Sequence, residues 1–303
     1  MDMYQKRKIR AEKKNNDSQK SFSKVPISWF PGHMAKTRRQ ITEDLKMIDV
    51  VVEILDARIP NSSQNPDIRQ ITQNKKKIII LNKYDLADNA KTEKWIEYFN
   101  KKERKVVLAD SLTGKGVNET TRQIQKIMED EMQKMADKGR IGRKIRTMIV
   151  GIPNVGKSSF INRVSKKTSM RVGNKPGVTK NKQWIRLTSN VELLDTPGIL
   201  WPKLDEEEVA YNLASMTAIK EEVLDSEDIA IYIIKKLLSD YPDNIINRYN
   251  LTKTEDIVDI LDEIGKKIGA FRNSETDYDR VYKRVIKDLQ DGYLGKITFD
   301  NIN

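Results

Sequence analysis

The segment Gly151-Ile-Pro-Asn-Val-Gly-Lys157-Ser158 has the residue types and the spacing that bind a polyphosphate. It matches G-x-x-x-x-G-K-[ST] at every fixed position, between the β-rich run "RTMIVG" and the amphipathic start "SSFINRV". Glycines let backbone N–H groups turn toward a phosphate, and the next helix adds its positive dipole end. Lys157 would reach the β- and γ-phosphates, and the Ser158 hydroxyl would bind Mg²⁺. The predicted nucleotide-binding residues of this loop are Asn154, Val155, Gly156, Lys157, Ser158 and Ser159.

Two downstream segments extend the predicted site. Asp195-Thr-Pro-Gly198 closes a predicted strand, where the carboxylate would hold Mg²⁺ through water and the Gly198 N–H would meet the γ-phosphate. Thr179, in "KPGVTK", would close over the metal when GTP is bound. Alone, "DTPG" is an ordinary turn. After a phosphate loop it predicts catalytic roles for Lys157, Thr179 and Gly198, and Mg²⁺ ligation by Ser158, Thr179 and Asp195.

A base-reading loop is predicted upstream, in Asn82-Lys83-Tyr-Asp85 after the apolar run "KIIILN". An aspartate over the base edge accepts both N1–H and the exocyclic amine of guanine, a donor pair that adenine lacks. Asp85 would therefore select GTP over ATP, Asn82 would tie the loop to the base and to the phosphate loop, and the Lys83 stem would cover the base face. Asp110 and Ser111 end the next predicted strand and would add a backbone N–H to the guanine carbonyl. The alternative is a capped strand end.

These motifs run in an unusual order, with the base reader ahead of the phosphate loop. Ligands of open α/β sheets bind at the carboxyl ends of the strands, so joining old termini and opening new ones keeps every loop in place. We predict an α/β fold: a P-loop GTPase domain with circularly permuted motif order, followed by a C-terminal all-helical domain. Strands are predicted at 47–57, 77–82, 105–110, 146–151, 183–187 and 191–195.

Three segments are predicted along the chain. Residues 1–25 carry eight cations against three acids and would form a mobile basic arm. Residues 26–202 would form the permuted GTPase domain. Residues 203–303 would form the helical domain, with helices starting at Ser226 and Thr254 and a last helix over 275–291. The outer face of that helix carries Arg280, Lys283, Arg284 and Lys287.

Composition limits the classes of function. The 303 residues are 38% hydrophobic, without an apolar run long enough to span a membrane, and without cysteine. The formal net charge of +12 favours a polyanionic partner such as nucleic acid. From Arg163 to Arg186 there are eight cations and no acid, so the segment around Thr179 would face that polyanion. We expect a cytoplasmic monomer.

The combined motifs resemble the circularly permuted GTPases and, more closely, the bacterial ribosome biogenesis GTPase A family (YlqF/RbgA type). The resemblance rests on "WFPGHMAK", "DARIPNSSQNP", "LNKYDL", "GIPNVGKSS", "KPGVTK" and "LLDTPGIL" and covers about residues 26–300. It implies a GTPase that acts in late assembly of the 50S subunit, is stimulated by that particle, and contacts RNA with its helical domain. Asp110 departs from the serine usual in the family's third base-contact motif. Asn154 resembles the asparagine of K⁺-assisted GTPases.

The position after Gly198 raises a question about the attacking water. It is Ile199, where many GTPases place a glutamine that orients water, and an alkyl side chain cannot do this. His33 is the single histidine of the chain, and an imidazole can orient water, so His33 is a candidate catalytic residue. The alternatives are a docking element with Trp29 and Phe30, or an RNA contact.

Three functions of different class fit these observations. The first is a GTPase assembly factor that binds a large-subunit precursor as its GTP form and leaves on hydrolysis. The second is a nucleic-acid-binding module that keeps GTP mainly for structure. The third is a signalling switch that acts on a protein target. Salt-sensitive, nucleotide-dependent binding to ribosomal particles distinguishes the first from the others.

Overall fold

The computed structural model describes residues 27–28, 32–140, 142–167, 184–201, 203–204, 206–219, 224–252 and 256–302. The basic arm 1–25 and the segment 168–183, with Thr179, lie outside the described residues. The described residues divide into two compact units. The nucleotide unit draws on 32–201 and on 296–302, and the helical unit draws on 27–28 and 203–295.

The core of the nucleotide unit is a six-stranded sheet. The ten strands of the described chain are β1 Ile27–Ser28, β2 Val50–Asp56, β3 Lys76–Asn82, β4 Lys105–Ala109, β5 Ile145–Val150, β6 Trp184–Arg186, β7 Val191–Leu194, β8 Lys203–Leu204, β9 Phe271–Arg272 and β10 Glu275–Thr276. The sheet has the order β4-β3-β2-β5-β7-β6, parallel except for the antiparallel edge strand β6. All six predicted strands are confirmed within a few residues at each end.

The central strands are mostly apolar because the sheet is buried. Every residue of β2 is buried, as are the last five of β3. Such runs are typical of parallel strands covered on both faces. The helices of this unit are α1 Gly32–Asp44, α2 Pro66–Ile71, α3 Asn89–Lys101, α4 Val117–Asp137 and α5 Lys157–Lys167. Among the described residues, no helix is both long and apolar enough to cross a membrane.

The described residues of the helical unit form five helices and two short strand pairs. The helices are α6 Glu207–Ser215, α7 Ser226–Asp240, α8 Pro242–Tyr249, α9 Ile257–Ile268 and α10 Tyr278–Gln290. The predicted last helix began three residues too early, because Glu275 pairs with Arg272 in a β9–β10 hairpin. Its turn residues, Asn273 and Ser274, have φ of 51° and 65°. The predicted all-helical domain therefore also contains this hairpin.

The predicted domain boundaries need two corrections. Residues from 296 onward belong to the nucleotide unit and not to the helical unit. The physical reason is burial, since Ile297, Thr298 and Phe299 are completely or almost completely buried there. Residues 27–28 belong to the helical unit because β1 pairs with β8.

Candidate functional site

The carboxyl ends of neighbouring strands bring the predicted loops together. Asp56 at the end of β2 is paired with Asn82 at the end of β3, and Asn82 is paired with Ala109 at the end of β4. The phosphate loop follows β5, which is the neighbour of β2 on the other side. The base-reading loop and the phosphate loop therefore meet at one edge of the sheet despite their reversed order in the chain.

Two glycines of the phosphate loop lie where a side chain has no room. Gly156 has a φ of +95°, and a Cβ there would lie 2.2 Å from Asn82 Nδ2. Gly151 has a φ of +152°, and its Cβ would lie 2.5 Å from the Ile54 carbonyl oxygen. The close approach of Gly156 to Asn82 shows that the phosphate loop packs directly on the base-reading loop. Helix α5 begins at Lys157, immediately after this contact.

Asn82 connects three loops through its side-chain amide. Its buried side chain donates from Nδ2 to the Val155 carbonyl at 2.7 Å. Its Oδ1 accepts from the Ser111 backbone N–H at 3.1 Å and from the Ser111 hydroxyl at 2.7 Å. One amide thus joins the base-reading loop, the phosphate loop and the loop after β4.

Lys83 adds further contacts from the base-reading loop to the phosphate loop and to the end of β2. It has left-handed backbone with a φ of 58°, and its ammonium donates to the Asn154 carbonyl at 2.9 Å and to Asp56 Oδ2 at 2.9 Å. The predicted role of the Lys83 stem as a cover for the base stays a prediction. Asp85 lies on a single 3₁₀ turn, Tyr84–Leu86, with its side chain exposed and so able to meet a base edge.

Asp56 and Arg58 form a buried ion pair that the sequence analysis left without a role. Arg58 donates from Nε to Oδ1 at 3.0 Å and from Nη2 to Oδ2 at 2.9 Å, and both side chains are 2% exposed. Burial raises the pKa of Asp56, but the charges of Arg58 and Lys83 outweigh it and hold the pKa well below its ordinary value. Asp56 is therefore an ionised anchor for Lys83. Its only sequence signal was its place in "DARIPNSS".

Asp110 shapes its own loop. Its carboxylate accepts from the Leu112 N–H at 2.8 Å and from the Thr113 N–H and hydroxyl, closing a tight turn. Burial raises the pKa of Asp110, but these hydrogen bonds outweigh it and lower the pKa overall. Among these described contacts, Ser111 rather than Asp110 reaches the base-reading loop. The departure from the family's usual serine at 110 is thus compatible with the loop geometry.

Lys157 and the Asp195–Gly198 loop lie close together. A Cβ at Gly198 would come within 2.7 Å of Lys157 Nζ, which donates to the Ile152 carbonyl at 2.7 Å. Burial lowers the pKa of Lys157 to about 8, and the Asp195 carboxylate opposes this shift. Burial likewise raises the pKa of Asp195, opposed by Lys157 and by the Thr196 N–H. A polyphosphate bound here would stabilise the Lys157 ammonium.

The Ile199 side chain lies in the core of the nucleotide unit. Its side chain is 2% exposed and packs in a core cluster with Ile41, Leu45 and Met148, among others. Its carbonyl accepts from Asn65 Nδ2 at 2.8 Å, and Asn65 also caps helix α2. Sequence reasoning missed Asn65 as the anchor of the Asp195–Gly198 loop, although Asn65-Pro66 is a helix-start signal.

The described donors fit Mg²⁺ as part of a nucleotide complex. Ser158 is exposed at the first turn of α5, and Asp195 is half-buried beside Lys157. Within the described ranges, no group of three or more His, Asp or Glu side chains could hold a metal ion by itself. Hydroxyl and carboxylate oxygens are nonetheless suitable Mg²⁺ ligands, and Mg²⁺ commonly takes one or two protein ligands plus phosphate oxygens.

Two predicted catalytic positions are not described. Thr179 lies outside the described residues. His33 falls in helix α1, but its side chain is not among those described. Their predicted roles stay predictions.

The sheet order, the phosphate loop and the Asn82–Lys83 contacts define a P-loop nucleotide-binding domain of the GTPase class with permuted motif order. The family model described as "50S ribosome-binding GTPase" matches residues 146–271. This span begins at the strand before the phosphate loop, so the base-reading loop lies upstream of it.

Relatives cover nearly the whole chain. Ribosome biogenesis GTPase A of Bacillus cereus is 45% identical over 90% of this chain and 93% of its own length. The same-named protein of Priestia megaterium is 45% identical over 91% and 97%. A GDP-bound structure of TM YlqF has a TM-score of 0.63 at 26% identity, covering 86% of this chain and 98% of that one. The chain belongs to the ribosome biogenesis GTPase A family, and the predicted fold and GTPase activity are confirmed.

Proposed function

We propose that this protein hydrolyses GTP as an assembly factor for late maturation of the large ribosomal subunit, binding the particle as its GTP form and leaving on hydrolysis. The observation that carries the proposal is the set of hydrogen bonds from Asn82 and Lys83 to Val155 and Asn154. They join segments over seventy residues apart, which supports a single guanine-nucleotide site built from both. The ribosomal step is supported by the relatives' name and by the matched 50S ribosome-binding family.

In this proposal the predicted site residues divide into a base-reading set and a phosphate-binding set. Asp85 reads the guanine edge from its exposed turn, with Asn82 and Ser111 holding that loop in register. Lys157 and the Gly198 N–H contact the phosphates, and Ser158, Thr179 and Asp195 hold Mg²⁺. A Mg²⁺ ion held by these residues would supply positive charge to stabilise the charge that develops on the phosphates during hydrolysis.

Hydrolysis needs a group beyond these residues to orient the attacking water. Ile199 cannot supply it, because its side chain is buried in the core. We retain His33 as a candidate, placed by helix α1 ahead of the first sheet strand. A catalytic group that is brought into position only on the particle would raise the rate by about 10³ to 10⁵. Such a gain would confine hydrolysis to the assembled complex.

The helical unit offers a surface suited to RNA. Buried Asp288 accepts from Arg248 Nε at 2.8 Å and from Arg284 Nε at 2.7 Å, so one carboxylate fixes two guanidinium groups. The Arg248 guanidinium lies 4.7 Å from the ring centroid of Tyr293, which is 59% exposed. Lys283 and Lys287 are exposed on the same helix as Arg284. Oriented arginines beside an exposed aromatic ring are suited to phosphate contacts and base stacking.

Three further expectations belong to the proposal. K⁺ would assist hydrolysis through Asn154, whose backbone is left-handed with a φ of 61°. The protein would act as a monomer. It would act in the cytoplasm, where bacterial ribosomal particles assemble. Replacing K⁺ with Na⁺ in the hydrolysis assay tests the first of these, and light scattering tests the second.

Co-sedimentation with purified large subunits tests the proposal. We expect binding with a GTP analogue to exceed binding with GDP or without nucleotide, and to weaken steeply as salt rises, because phosphate contacts release counterions. GTP hydrolysis should increase when large subunits are added. Small subunits and an ATP analogue serve as matched controls. Binding that ignores the nucleotide would favour the nucleic-acid-binding module, and absence of binding in every state would contradict the ribosomal assignment.

A further inference from the structure

The chain returns to the guanine site at its C-terminal end. After helix α10 and the turn that ends at Gly295, residues 296–302 rejoin the nucleotide unit. Within them, Ile297, Thr298, Phe299 and Asp300 are between 0% and 6% exposed. We call Ile297–Asp300 the return segment. It has no helix or strand of its own, so its position depends on the loops that it contacts.

The return segment contacts the residues that directly follow Asp85. The Ile297 N–H donates to the Leu86 carbonyl at 3.1 Å. The Asp88 N–H donates to the Thr298 hydroxyl at 3.2 Å, and Lys91 Nζ donates to the Thr298 carbonyl at 2.9 Å. These bonds satisfy backbone groups of an irregular loop that the sheet does not pair. They therefore fix the far end of the base-reading loop.

The return segment also contacts the loop after β2. The Phe299 N–H donates to the Arg58 carbonyl at 2.8 Å. The Asp300 carboxylate accepts from the N–H groups of Asn61 and Ser62 at 2.6 and 2.7 Å, and from the Ser62 hydroxyl at 2.6 Å. Bonds of this kind to a charged acceptor are stronger than neutral ones. Asp300 therefore holds the turn that begins just after Arg58.

These two sets of contacts lie on both sides of Lys83. On one side the return segment holds Leu86 and Asp88. On the other it holds Arg58, whose guanidinium pairs with Asp56, and Asp56 in turn accepts from Lys83 Nζ at 2.9 Å. The Thr298 hydroxyl spans both sides, since it also donates to the Ala57 carbonyl at 3.3 Å. The base-reading loop is thus held by a segment more than two hundred residues away in the chain.

We propose that Ile297–Asp300 is a positioning segment for the guanine-reading loop and that it sets the preference for guanine over a base without the exocyclic amine. The inference rests on Asp85 as the base reader proposed above. The segment contacts no base itself. It holds the turn that carries Asp85 in the position from which the carboxylate accepts from both N1–H and the exocyclic amine of guanine. Displacing that turn weakens the base contacts and leaves the phosphate contacts of the loop after β5 in place.

The test compares GDP with IDP, which lacks the amine, by titration calorimetry. Thr298→Val keeps the shape of the side chain and removes the hydroxyl, and Asp300→Ala removes the carboxylate. We expect the GDP-to-IDP affinity ratio to fall about tenfold in each variant, because a bond to the charged Asp85 is lost or lengthened. Thr298→Ser, which keeps the hydroxyl, should retain most of the GDP-to-IDP affinity ratio of the unaltered protein. Asn301→Ala, at an exposed neighbouring position, should leave the ratio unchanged.

Two controls separate the possible failures. Thermal unfolding confirms that each variant is folded at the temperature of the titration. A merely structural role for the segment would lower the melting temperature of the variants and leave the GDP-to-IDP affinity ratio intact. Asp85→Ala tests the base reader. If it collapses the ratio while Thr298→Val and Asp300→Ala keep it, the positioning role alone is wrong. If Asp85→Ala also keeps the ratio, the base-reader assignment is wrong and the positioning role falls with it.

Discussion

Asp85→Asn should change the nucleotide preference of the protein from guanine to xanthine nucleotides. The carboxylate would accept two hydrogen bonds from guanine, each worth about 1.5 to 3 kcal/mol because the acceptor is charged. An asparagine keeps one acceptor and places an amide donor against the guanine amine. GDP affinity should therefore fall by about 10² to 10⁴. Xanthine carries a carbonyl oxygen at that position, which accepts from the amide, so XDP should bind better than GDP.

Titration of both proteins with GDP and XDP measures this exchange. Glu93→Gln, a nearby exposed carboxylate on helix α3, is the matched control and should bind GDP as the unaltered protein does. GDP affinity that survives Asp85→Asn would show that another group reads the base. Loss of GDP and XDP together would instead indicate a loop that has lost its shape.

Asp56→Asn should produce the largest loss of stability. The substitution keeps the size of the side chain but removes the carboxylate charge that faces the Arg58 guanidinium, which is 2% exposed. Removing one member of a buried pair costs about 3 to 5 kcal/mol because the remaining charge is buried and uncompensated. Urea unfolding at neutral pH measures the change in the free energy of unfolding. Glu119→Gln, at an exposed pair with Arg122 on helix α4, should have no measurable effect.

The Asp56–Arg58 pair also predicts that the free energy of unfolding depends on pH. The pKa of Asp56 in the folded protein lies below its ordinary value of 3.8. The folded state therefore favours the ionised carboxylate, and the stability that Asp56 contributes is fully present above 3.8 and is lost as the pH falls toward the lowered pKa. The difference in unfolding free energy between the unaltered protein and Asp56→Asn should narrow in acid. A difference that stays constant from neutral pH into acid would show that Asp56 is not held ionised by Arg58 and Lys83.

The parts of the site that sequence could predict are those with local signals. The phosphate loop needs glycines at Gly151 and Gly156 because no Cβ fits there. The strands before each loop are mostly apolar runs, which marks them as buried whatever their order in the chain. Asn82 lies at a strand end whose place is fixed by the register of the sheet, and its side chain contacts Val155 and Ser111 there. The permuted order of the nucleotide-binding motifs could therefore be predicted from the sequence alone.

The parts that sequence could not predict depend on contacts between distant residues. Asp300 meets Asn61 across 239 positions, and nothing in "KITFDNIN" signals such a partner. Arg58 is two residues from Asp56, but a bidentate pair forms only because the loop turns back over the strand end. The β9–β10 turn uses Asn273-Ser274 in place of the Asn-Gly typical of a tight hairpin, so the sequence predicts a helix from about Glu275 where the structure has strand β10.

The most direct test of the account is a crystal structure of the protein with Mg²⁺ and a non-hydrolysable GTP analogue. We predict that Asp85 accepts from both N1–H and the exocyclic amine of guanine, within about 2.6 to 3.2 Å, while Lys157 and the Gly198 N–H contact the terminal phosphates. Asn82 should still join Val155 and Ser111 beneath the nucleotide. A guanine bound away from Asp85, or phosphates outside the Gly151–Ser158 loop, would contradict the claim that the permuted segments build one guanine-nucleotide site.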